Sequence, residues 1–275
     1  MPFVHREGAR LYWRIDGHPD RPPLLLLNSL GTDHSLWEPL MPGLLARYRV
    51  LRTDKPGHGA SDARDGEYSI AQLGRDVLAV MDAAGVRRAH LCGVSIGAMI
   101  GIWVAAHAPE RIDRLVLSNT SAKLAPEGFA ERIRLIREGG IAAIADTILG
   151  RFFTSAFVAR ADERYHSVRT TLLQVDPAGY IGCCAALRDM DLRPLLARIA
   201  APTLVVTCRD DQSTPAAMGE AIAAAIPGAK HVQWTLAHIP FVEAPQAYVE
   251  LLAGFLDAGG SAPGAAGPAG PAGRG

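Results

Sequence analysis

Short apolar runs alternate along the chain with longer amphipathic segments. The apolar runs predict strands at residues 10–16, 23–28, 48–54, 89–94, 114–119, 203–208 and 231–234. Several have no polar face, which is typical of parallel strands covered by helices on both sides. Apolar positions at helical spacing predict helices at 69–84, 96–107, 216–226 and 244–257, with Ser69 as a candidate N-cap of the first. This alternation predicts an α/β fold with a mostly parallel central sheet flanked by helices.

Two segments depart from the alternation. Residues 121–198 are helical in pattern without an obvious strand, and we expect a helical lid over a core formed by residues 1–120 and 199–258. Residues 259–275, "GGSAPGAAGPAGPAGRG", contain no large apolar side chain and cannot bury a core. We expect a disordered tail there, or the remnant of a linker to a further domain.

Composition narrows the range of partners. Lys plus Arg and Asp plus Glu both number 28 in 275 residues, so there is no net charge to attract nucleic acid or an anionic membrane. No apolar run reaches the length of a signal peptide or a spanning helix, which favours a cytoplasmic protein. The four cysteines, Cys92, Cys183, Cys184 and Cys208, lack metal-ligand spacing, and we expect buried, reduced thiols.

One serine stands between two glycines in "HLCGVSIGAMIG", at residues 90–101. Gly93-Val94-Ser95-Ile96-Gly97 fits G-x-S-x-G and joins a predicted strand to a predicted helix, the setting of a nucleophile elbow. In such a turn the serine backbone is strained, and side chains two residues before and after it would collide. The pattern predicts Ser95 as a nucleophile.

A serine nucleophile needs a histidine base, which a carboxylate must orient. His238, in a loop before the last predicted helix, is the candidate base, and Asp210 and Asp211 follow a late strand as candidate acids. His58 lies in the glycine-rich turn "DKPGHGASD", where a backbone-supporting role is expected. His34 could approach the pocket.

The tetrahedral intermediate of acyl transfer needs amide donors for its oxyanion. The N–H of Ile96, at the start of the helix, is one candidate. The N–H of Leu30, in the loop "LNSLGTDHSLW" after an early strand, is the other. Ser29 and Gly31 are small enough to permit close approach there.

With these motifs the chain resembles the 3-oxoadipate enol-lactonases of the α/β-hydrolase superfamily. The resemblance covers nearly all of residues 10–257 and includes "DKPGHGASD", the elbow, and the lid phrases "DTILGRFFTSAF" and "DPAGYIGCCAALRDMDL". It implies an α/β-hydrolase fold, and the family pattern G-x-x-D-x-x-T-P implies Asp211 rather than Asp210 as the acid. The chain differs from that family at four positions: Pro56, Ala98, Ile102 and Cys208.

The resemblance also implies a reaction. Ser95 would open the lactone ring of 3-oxoadipate enol-lactone through an acyl-enzyme, with no metal or organic cofactor. The substrate carries a carboxylate, for which Arg151 and Arg188 in the lid phrases are candidate partners. Apolar walls are expected from four aromatic residues: Trp37, Phe152, Phe153 and Tyr180.

Other activities fit the same residues. The alternatives are another carboxylesterase, a carbon–carbon bond hydrolase, a cofactor-free perhydrolase and a non-catalytic ligand binder. Ser95 at the elbow argues against dehalogenases and epoxide hydrolases, which need an aspartate there. A small-molecule partner is expected in each case, and the oligomeric state stays open.

Overall fold

The structure, a computed structural model, describes residues 2–258, so the predicted tail at 259–275 lies outside the described residues. The strands are β1 (Phe3–Arg6), β2 (Ala9–Asp16), β3 (Pro23–Leu27), β4 (Arg49–Thr53), β5 (Ala89–Val94), β6 (Ile112–Ser118), β7 (Thr203–Cys208) and β8 (Lys230–Trp234). The α-helices are α1 (Met41–Leu45), α2 (Ile70–Ala83), α3 (Ile96–His107), α4 (Glu127–Gly139), α5 (Ala142–Phe152), α6 (Ser155–Ala159), α7 (Glu163–Leu173), α8 (Pro177–Asp189), α9 (Arg193–Leu196), α10 (Ala216–Ala225), α11 (Pro240–Glu243) and α12 (Pro245–Leu256). Two 3₁₀ segments, His34–Leu40 and Pro109–Arg111, precede α1 and β6.

Within residues 2–258 the strands form one sheet of eight, in the order β1-β2-β4-β3-β5-β6-β7-β8. The pairs β1–β2 and β2–β4 are antiparallel, and the remaining pairs are parallel. Every residue of β5 and of β7 is buried, because helices cover both faces of the parallel part. These observations confirm the predicted α/β class with a mostly parallel sheet.

The sequence patterns missed one strand. The segment Phe3–Arg6 pairs antiparallel with β2, and Phe3 lies opposite Tyr12. It is a four-residue edge strand with a half-buried face, and so short a segment carries too little alternation to be distinguished from a loop. Its pairing with β2, rather than its own pattern, makes it a strand.

The predicted helices outside the lid all form, with ends that differ by a residue or so from the prediction. The Ser69 hydroxyl accepts a hydrogen bond from the Gln72 N–H at 3.1 Å, which confirms the predicted cap of α2. No helix in the part of the chain that the structure describes is both long and apolar enough to cross a membrane. All four cysteines are free and buried, as predicted.

The segment predicted as a lid contains α4 to α9, and the last strand before it is β6. One of these helices, α8, is fixed directly to the core by backbone contacts. The Asp176 N–H donates to the Gly57 carbonyl at 2.9 Å, and the Tyr68 N–H donates to the Gly182 carbonyl at 3.1 Å. At Gly179 a Cβ would lie 2.5 Å from the Gly57 Cα. Helix α8 therefore packs backbone to backbone against the turn after β4.

We expect Gly179→Ala to lower the free energy of unfolding by about 1–3 kcal/mol, the usual effect of overpacking. The added methyl group would meet the Gly57 Cα and, at 2.7 Å, the Pro56 carbonyl, and backbone atoms on both sides cannot move aside. Urea denaturation measures the change.

The matched control is Gly150→Ala in the exposed part of α5, where a Cβ meets nothing within 4 Å. The free energy of unfolding of that variant should rise by about 0.5–1 kcal/mol, because alanine loses less backbone entropy than glycine when it folds into a helix. Equal effects of the two substitutions would contradict the close docking of α8.

Candidate active site

Ser95 occupies the turn between β5 and α3 in a strained backbone conformation. Its φ of 57° and ψ of −125° lie where a side chain is rarely tolerated, as the elbow pattern predicts. Two carbonyls at the end of β6, those of Ser118 and Asn119, each accept the Ser95 N–H at 3.1 Å. The Ser95 carbonyl accepts the Thr120 hydroxyl at 2.9 Å. These bonds from the neighbouring strand hold the serine in place.

The two glycines of the elbow are required by different neighbours. A Cβ at Gly93 would lie 2.6 Å from the Gly97 carbonyl, so this glycine makes room for the returning chain. A Cβ at Gly97 would overlap the Leu27 carbonyl of the adjacent strand β3. The predicted collision is therefore correct for Gly93, whereas Gly97 is needed for contact with the neighbouring strand.

Leu30 and Ile96, the predicted oxyanion donors, follow adjacent strands of the sheet. Leu30 comes after β3 and lines the same cavity as Ser95, and Ile96 is the first residue of α3. Neither backbone N–H has an acceptor among the described residues. Since the first amides of a helix carry a partial positive charge, the pair could stabilise a negatively charged oxygen beside Ser95.

His58 supports the loop that carries Leu30. The Gly31 N–H donates to His58 Nε2 at 3.1 Å, and Nδ1 of the same ring lies 3.0 Å from the Pro56 carbonyl. The pattern requires the tautomer with its proton on Nδ1. Burial, together with the nearby Lys55 ammonium, lowers the pKa of His58 well below its ordinary value, so the ring stays neutral. The expected backbone-supporting role is confirmed.

His238 follows β8, and its Nδ1 lies 2.8 Å from Oδ2 of Asp211, with both side chains buried. Asp211 also accepts the N–H groups of Ser213 and Thr214 and the Thr214 hydroxyl, at 2.7, 3.1 and 2.7 Å. Burial alone raises the pKa of the Asp211 carboxyl, but the His238 imidazole and these hydrogen bonds outweigh it and hold the pKa below its ordinary value. Asp210 is exposed, so the geometry favours Asp211 as the partner of the imidazole.

Ser95 and His238 line one cavity of about 330 Å³. Its size is at the lower end of the range of about 300–1,000 Å³ typical of small-molecule sites. No hydrogen bond joins the Ser95 hydroxyl to the imidazole within residues 2–258. Such bonds are often long in unliganded sites and shorten when the substrate is bound. With Nδ1 bonded to Asp211, Nε2 is the nitrogen left to accept a proton.

The structure separates the predicted cavity residues into two groups. Phe152, Tyr180 and Arg151 line the cavity, and the Phe152 ring stacks on His238 with centroids 5.5 Å apart. Trp37 and Phe153 do not line it. Trp37 is buried against Phe241 instead, and its Nε1 donates to the Asn28 side chain at 2.7 Å.

Arg188 does not reach the cavity, contrary to the prediction from the lid phrases. Its guanidinium is bonded to Glu67 at 2.9 Å and to Asp189 at 2.6 Å on the outer side of α8. The adjacent residue, Leu187, faces the cavity, and the helical turn carries Arg188 away from it. His34, which was expected to approach the pocket, is bonded to Asp54 and does not line this cavity.

Sequence patterns missed two contributors to the site. Arg132 of α4 lines the cavity, over the Phe129 ring at 5.5 Å. Asn119, with a φ of 42°, donates its side-chain amide to the carbonyls of Ala237 and His238 at 3.0 and 2.9 Å and so fixes the histidine loop. Arg132 is one of several arginines in an amphipathic helix and Asn119 directly follows a strand, so no local signal marks either residue.

The four departures from the resembled family lie outside the cavity wall. Pro56, Ala98, Ile102 and Cys208 are all buried, and none of them lines the cavity that holds Ser95. Residues 2–258 contain no group of three or more His, Cys, Asp or Glu side chains placed to hold a metal ion.

Comparison with known proteins gives a consistent result. The α/β-hydrolase fold family model matches residues 22–245. 3-Oxoadipate enol-lactonase 2 of Acinetobacter baylyi is 38% identical over 255 residues, which cover 90% of this chain and 96% of the relative. A protein of Azorhizobium caulinodans named as a carbamate hydrolase, RutD, is 31% identical over 267 residues, which cover 93% of this chain and 98% of the relative. The crystal structure of the enol-lactonase from Burkholderia xenovorans LB400 superposes on this chain with a TM-score of 0.91 at 37% identity. The superposition covers 93% of this chain and 100% of the enol-lactonase.

The two neighbouring carboxylates allow a test of the imidazole's partner. We expect Asp211→Asn to lower kcat for p-nitrophenyl acetate by about 10³- to 10⁴-fold, because the amide cannot hold His238 in the required tautomer. Asp210→Asn is the matched control and should retain kcat within about two-fold, since exposed substitutions rarely perturb a structure. A larger loss in Asp210→Asn than in Asp211→Asn would show that the acid is misassigned.

Proposed function

The chain belongs to the α/β-hydrolase fold family, and from this premise we propose that it is a serine hydrolase that opens 3-oxoadipate enol-lactone to 3-oxoadipate. One observation carries the proposal. A single small cavity holds Ser95, His238 and two arginines, Arg132 and Arg151. To bind and open a small lactone that carries a carboxylate, a site needs a nucleophile and a cation no farther apart than the length of the substrate. The 38% identity to an enol-lactonase over 90% of the chain supports the same substrate.

In the first half of the reaction, His238 Nε2 takes the proton of the Ser95 hydroxyl as its oxygen attacks the lactone carbonyl. Asp211 keeps the proton on Nδ1 and stabilises the imidazolium that forms. The carbonyl oxygen becomes an oxyanion and accepts the N–H groups of Leu30 and Ile96. The carbon–oxygen bond of the ring then breaks, the ring oxygen takes the proton from His238, and an acyl-enzyme remains.

The ring oxygen leaves as an enol, which is a better leaving group than an alkoxide. The enol remains attached to the acyl chain because the substrate is a lactone, and it tautomerises to the ketone. That step draws the ring opening forward. A water molecule, deprotonated by His238, then attacks the acyl-enzyme and releases 3-oxoadipate with Ser95 restored.

Arg132 and Arg151 are the proposed partners of the substrate carboxylate. They lie on α4 and α5, and no carboxylate lies within 4.0 Å of either guanidinium among the described residues. Arg188, by contrast, already has two carboxylate partners. A guanidinium without a carboxylate partner at a cavity wall can bind a substrate carboxylate through two parallel hydrogen bonds.

Carbamate hydrolysis is the second candidate. The 31% identity to RutD over 93% of the chain supports it, and the same serine and histidine would attack a carbamate carbonyl. A carbamate would not require both arginines at the cavity wall.

We expect kcat/KM for the enol-lactone to exceed that for p-nitrophenyl acetate and for phenyl carbamate by at least about 100-fold. Two charge-assisted hydrogen bonds to the substrate carboxylate, each worth about 1.5–3 kcal/mol, account for that preference. Loss of the lactone's ultraviolet absorbance follows the reaction. Faster turnover of the carbamate or the aryl ester would refute the lactonase assignment.

Ser95→Ala should lower kcat for the lactone by about 10⁴-fold or more, because no nucleophile remains. Ser167→Ala, which removes an exposed hydroxyl of α7, is the control and should behave as the wild type. A fluorophosphonate probe should label the wild type once, at Ser95.

The arginine pair is tested separately. Arg132→Met and Arg151→Met should each lower kcat/KM for the lactone by about 10- to 100-fold, the loss of one charge-assisted hydrogen-bonding group. They should leave the uncharged p-nitrophenyl acetate almost unaffected. Arg188→Met is the matched control and should keep lactone kinetics near those of the wild type, because its ion pairs lie on the surface.

A further inference from the structure

The direction of an oxyanion donor is set by the carbonyl of its own peptide. A peptide unit is planar and trans, so its N–H and C=O point in opposite directions. The Leu30 N–H shares a peptide with the Ser29 carbonyl, and the Ile96 N–H shares one with the Ser95 carbonyl. A group that holds either carbonyl therefore aims the corresponding N–H.

The Ser95 carbonyl is held mainly by its own helix. It accepts the N–H groups of Ala98 and Met99, both at 3.0 Å, in addition to the Thr120 hydroxyl. The first turn of α3 thus fixes the Ile96 peptide. No helix follows directly in loop 28–32 to fix the Ser29–Leu30 peptide in the same way.

Lys55 supplies the missing support. Its ammonium lies 2.9 Å from the Ser29 carbonyl, 3.3 Å from that of Asn28 and 3.4 Å from that of Thr32. An ammonium has three protons to donate, and loop 28–32 offers it these three acceptors. The Ser29 carbonyl also accepts the hydroxyl and N–H of Thr32, at 2.9 and 3.4 Å, but those donors belong to the loop itself. Lys55, from the turn after β4, ties the loop to the sheet.

We propose that Lys55 is a positioning residue of the oxyanion hole, whose buried ammonium binds three carbonyls of loop 28–32 and aims the Leu30 N–H at the oxyanion. Its positive charge behind the Ser29 carbonyl also polarises that peptide, which makes the Leu30 N–H a stronger donor. This inference rests on the proposed function, in which Leu30 is an oxyanion donor.

The cost of burying this ammonium argues for a role beyond stability. Burial lowers the pKa of Lys55 to about 8, although Asp33 and Asp54 lie near enough to oppose the effect. No carboxylate lies within 4.0 Å of its nitrogen in the described part of the chain. An apolar residue in such a place is often at least as stable as a buried charge.

Three other ionisable groups lie around Lys55. Burial raises the pKa of the Cys183 thiol to about 12, so this neighbour stays neutral. His58 is neutral as well, since its pKa lies well below the ordinary value. Asp76, which lines the same small internal space as Lys55, has a pKa raised by burial from its ordinary value of 3.8. Among these groups, Lys55 is the one whose pKa is lowered to about 8.

The test is Lys55→Met, assayed with p-nitrophenyl acetate so that the result does not depend on the lactone. We expect kcat to fall about 10- to 100-fold at pH 7 with little change in KM, less than the 10²- to 10³-fold effect of removing a whole oxyanion donor. In the wild type kcat should decline above about pH 8, as Lys55 loses its proton, and this decline should be absent from Lys55→Met. Lys230→Met, which removes an exposed lysine of β8, should keep both the kcat and the pH profile of the wild type.

Stability measured over the same pH range separates positioning from folding. Between about pH 8 and 10.5 the unfolded wild type holds a proton on Lys55 that the folded protein has released, so the free energy of unfolding of the wild type should rise with pH relative to that of Lys55→Met. The buried cysteines, whose raised pKa values act in the opposite direction, are common to both proteins and cancel in this difference. The kcat of the wild type should therefore fall over the same pH range in which its stability rises relative to Lys55→Met, and the alkaline decline of kcat should be absent from the variant. If kcat is unaffected by the substitution, or if it falls while the alkaline decline remains, the proposal is wrong.

Failure of the proposed function gives a different result. If a fluorophosphonate does not label Ser95 in the wild type, the serine-hydrolase proposal fails, and the role of Lys55 fails with it. If the wild type is labelled and Lys55→Met matches it in kcat and pH profile, only the Lys55 inference fails.

Discussion

The site depends on one close approach of backbone to backbone. Helix α3 begins so close to β3 that Gly97 lies against the Leu27 carbonyl, with no room for a Cβ between them. That contact forces the reversal of the chain at Ser95, with its positive φ, and sets the Ile96 N–H beside the loop that leaves β3. The strain at Ser95 persists because hydrogen bonds from the end of β6 fix the serine from the other side.

The parallel sheet converts this local turn into a catalytic arrangement. The carboxyl ends of adjacent parallel strands lie at one edge, and each strand there contributes a different function. β3 leads into the loop of Leu30, β5 into Ser95, and β7 and β8 into Asp211 and His238. Between them, β6 leads into Asn119, whose side chain holds the histidine loop. The order of the strands therefore brings together residues that are up to 208 positions apart in the sequence, from Leu30 to His238.

Helix α8 connects the helical segment after β6 with loop 28–32. Its backbone packs on Gly57, and its Tyr180 lines the cavity and stacks on His58 with centroids 6.4 Å apart. His58 in turn accepts the Gly31 N–H next to Leu30. A chain of direct contacts thus runs from α8 to loop 28–32, and it makes α8 a fixed wall of the cavity. The two arginines without carboxylate partners lie on α4 and α5 instead.

The sequence by itself determined the fold class, the strained serine and the identity of its histidine and carboxylate candidates. These features leave local traces: an apolar period, glycines beside a serine, and polar residues directly after strands. Only the tertiary structure decided which side chains face the cavity. Arg188 and Arg132 both lie on helices of the same segment, but the turn of α8 directs Arg188 to Glu67 while α4 brings Arg132 to the cavity. Asp211 and Asp210 are adjacent in the sequence. What distinguishes them is the 2.8 Å contact between Asp211 and a histidine 27 residues away. Lys55 has no pattern of its own, because its significance lies in three carbonyls that the sheet places around it. Side-chain direction and long-range contacts depend on how elements pack together, and no local pattern records them.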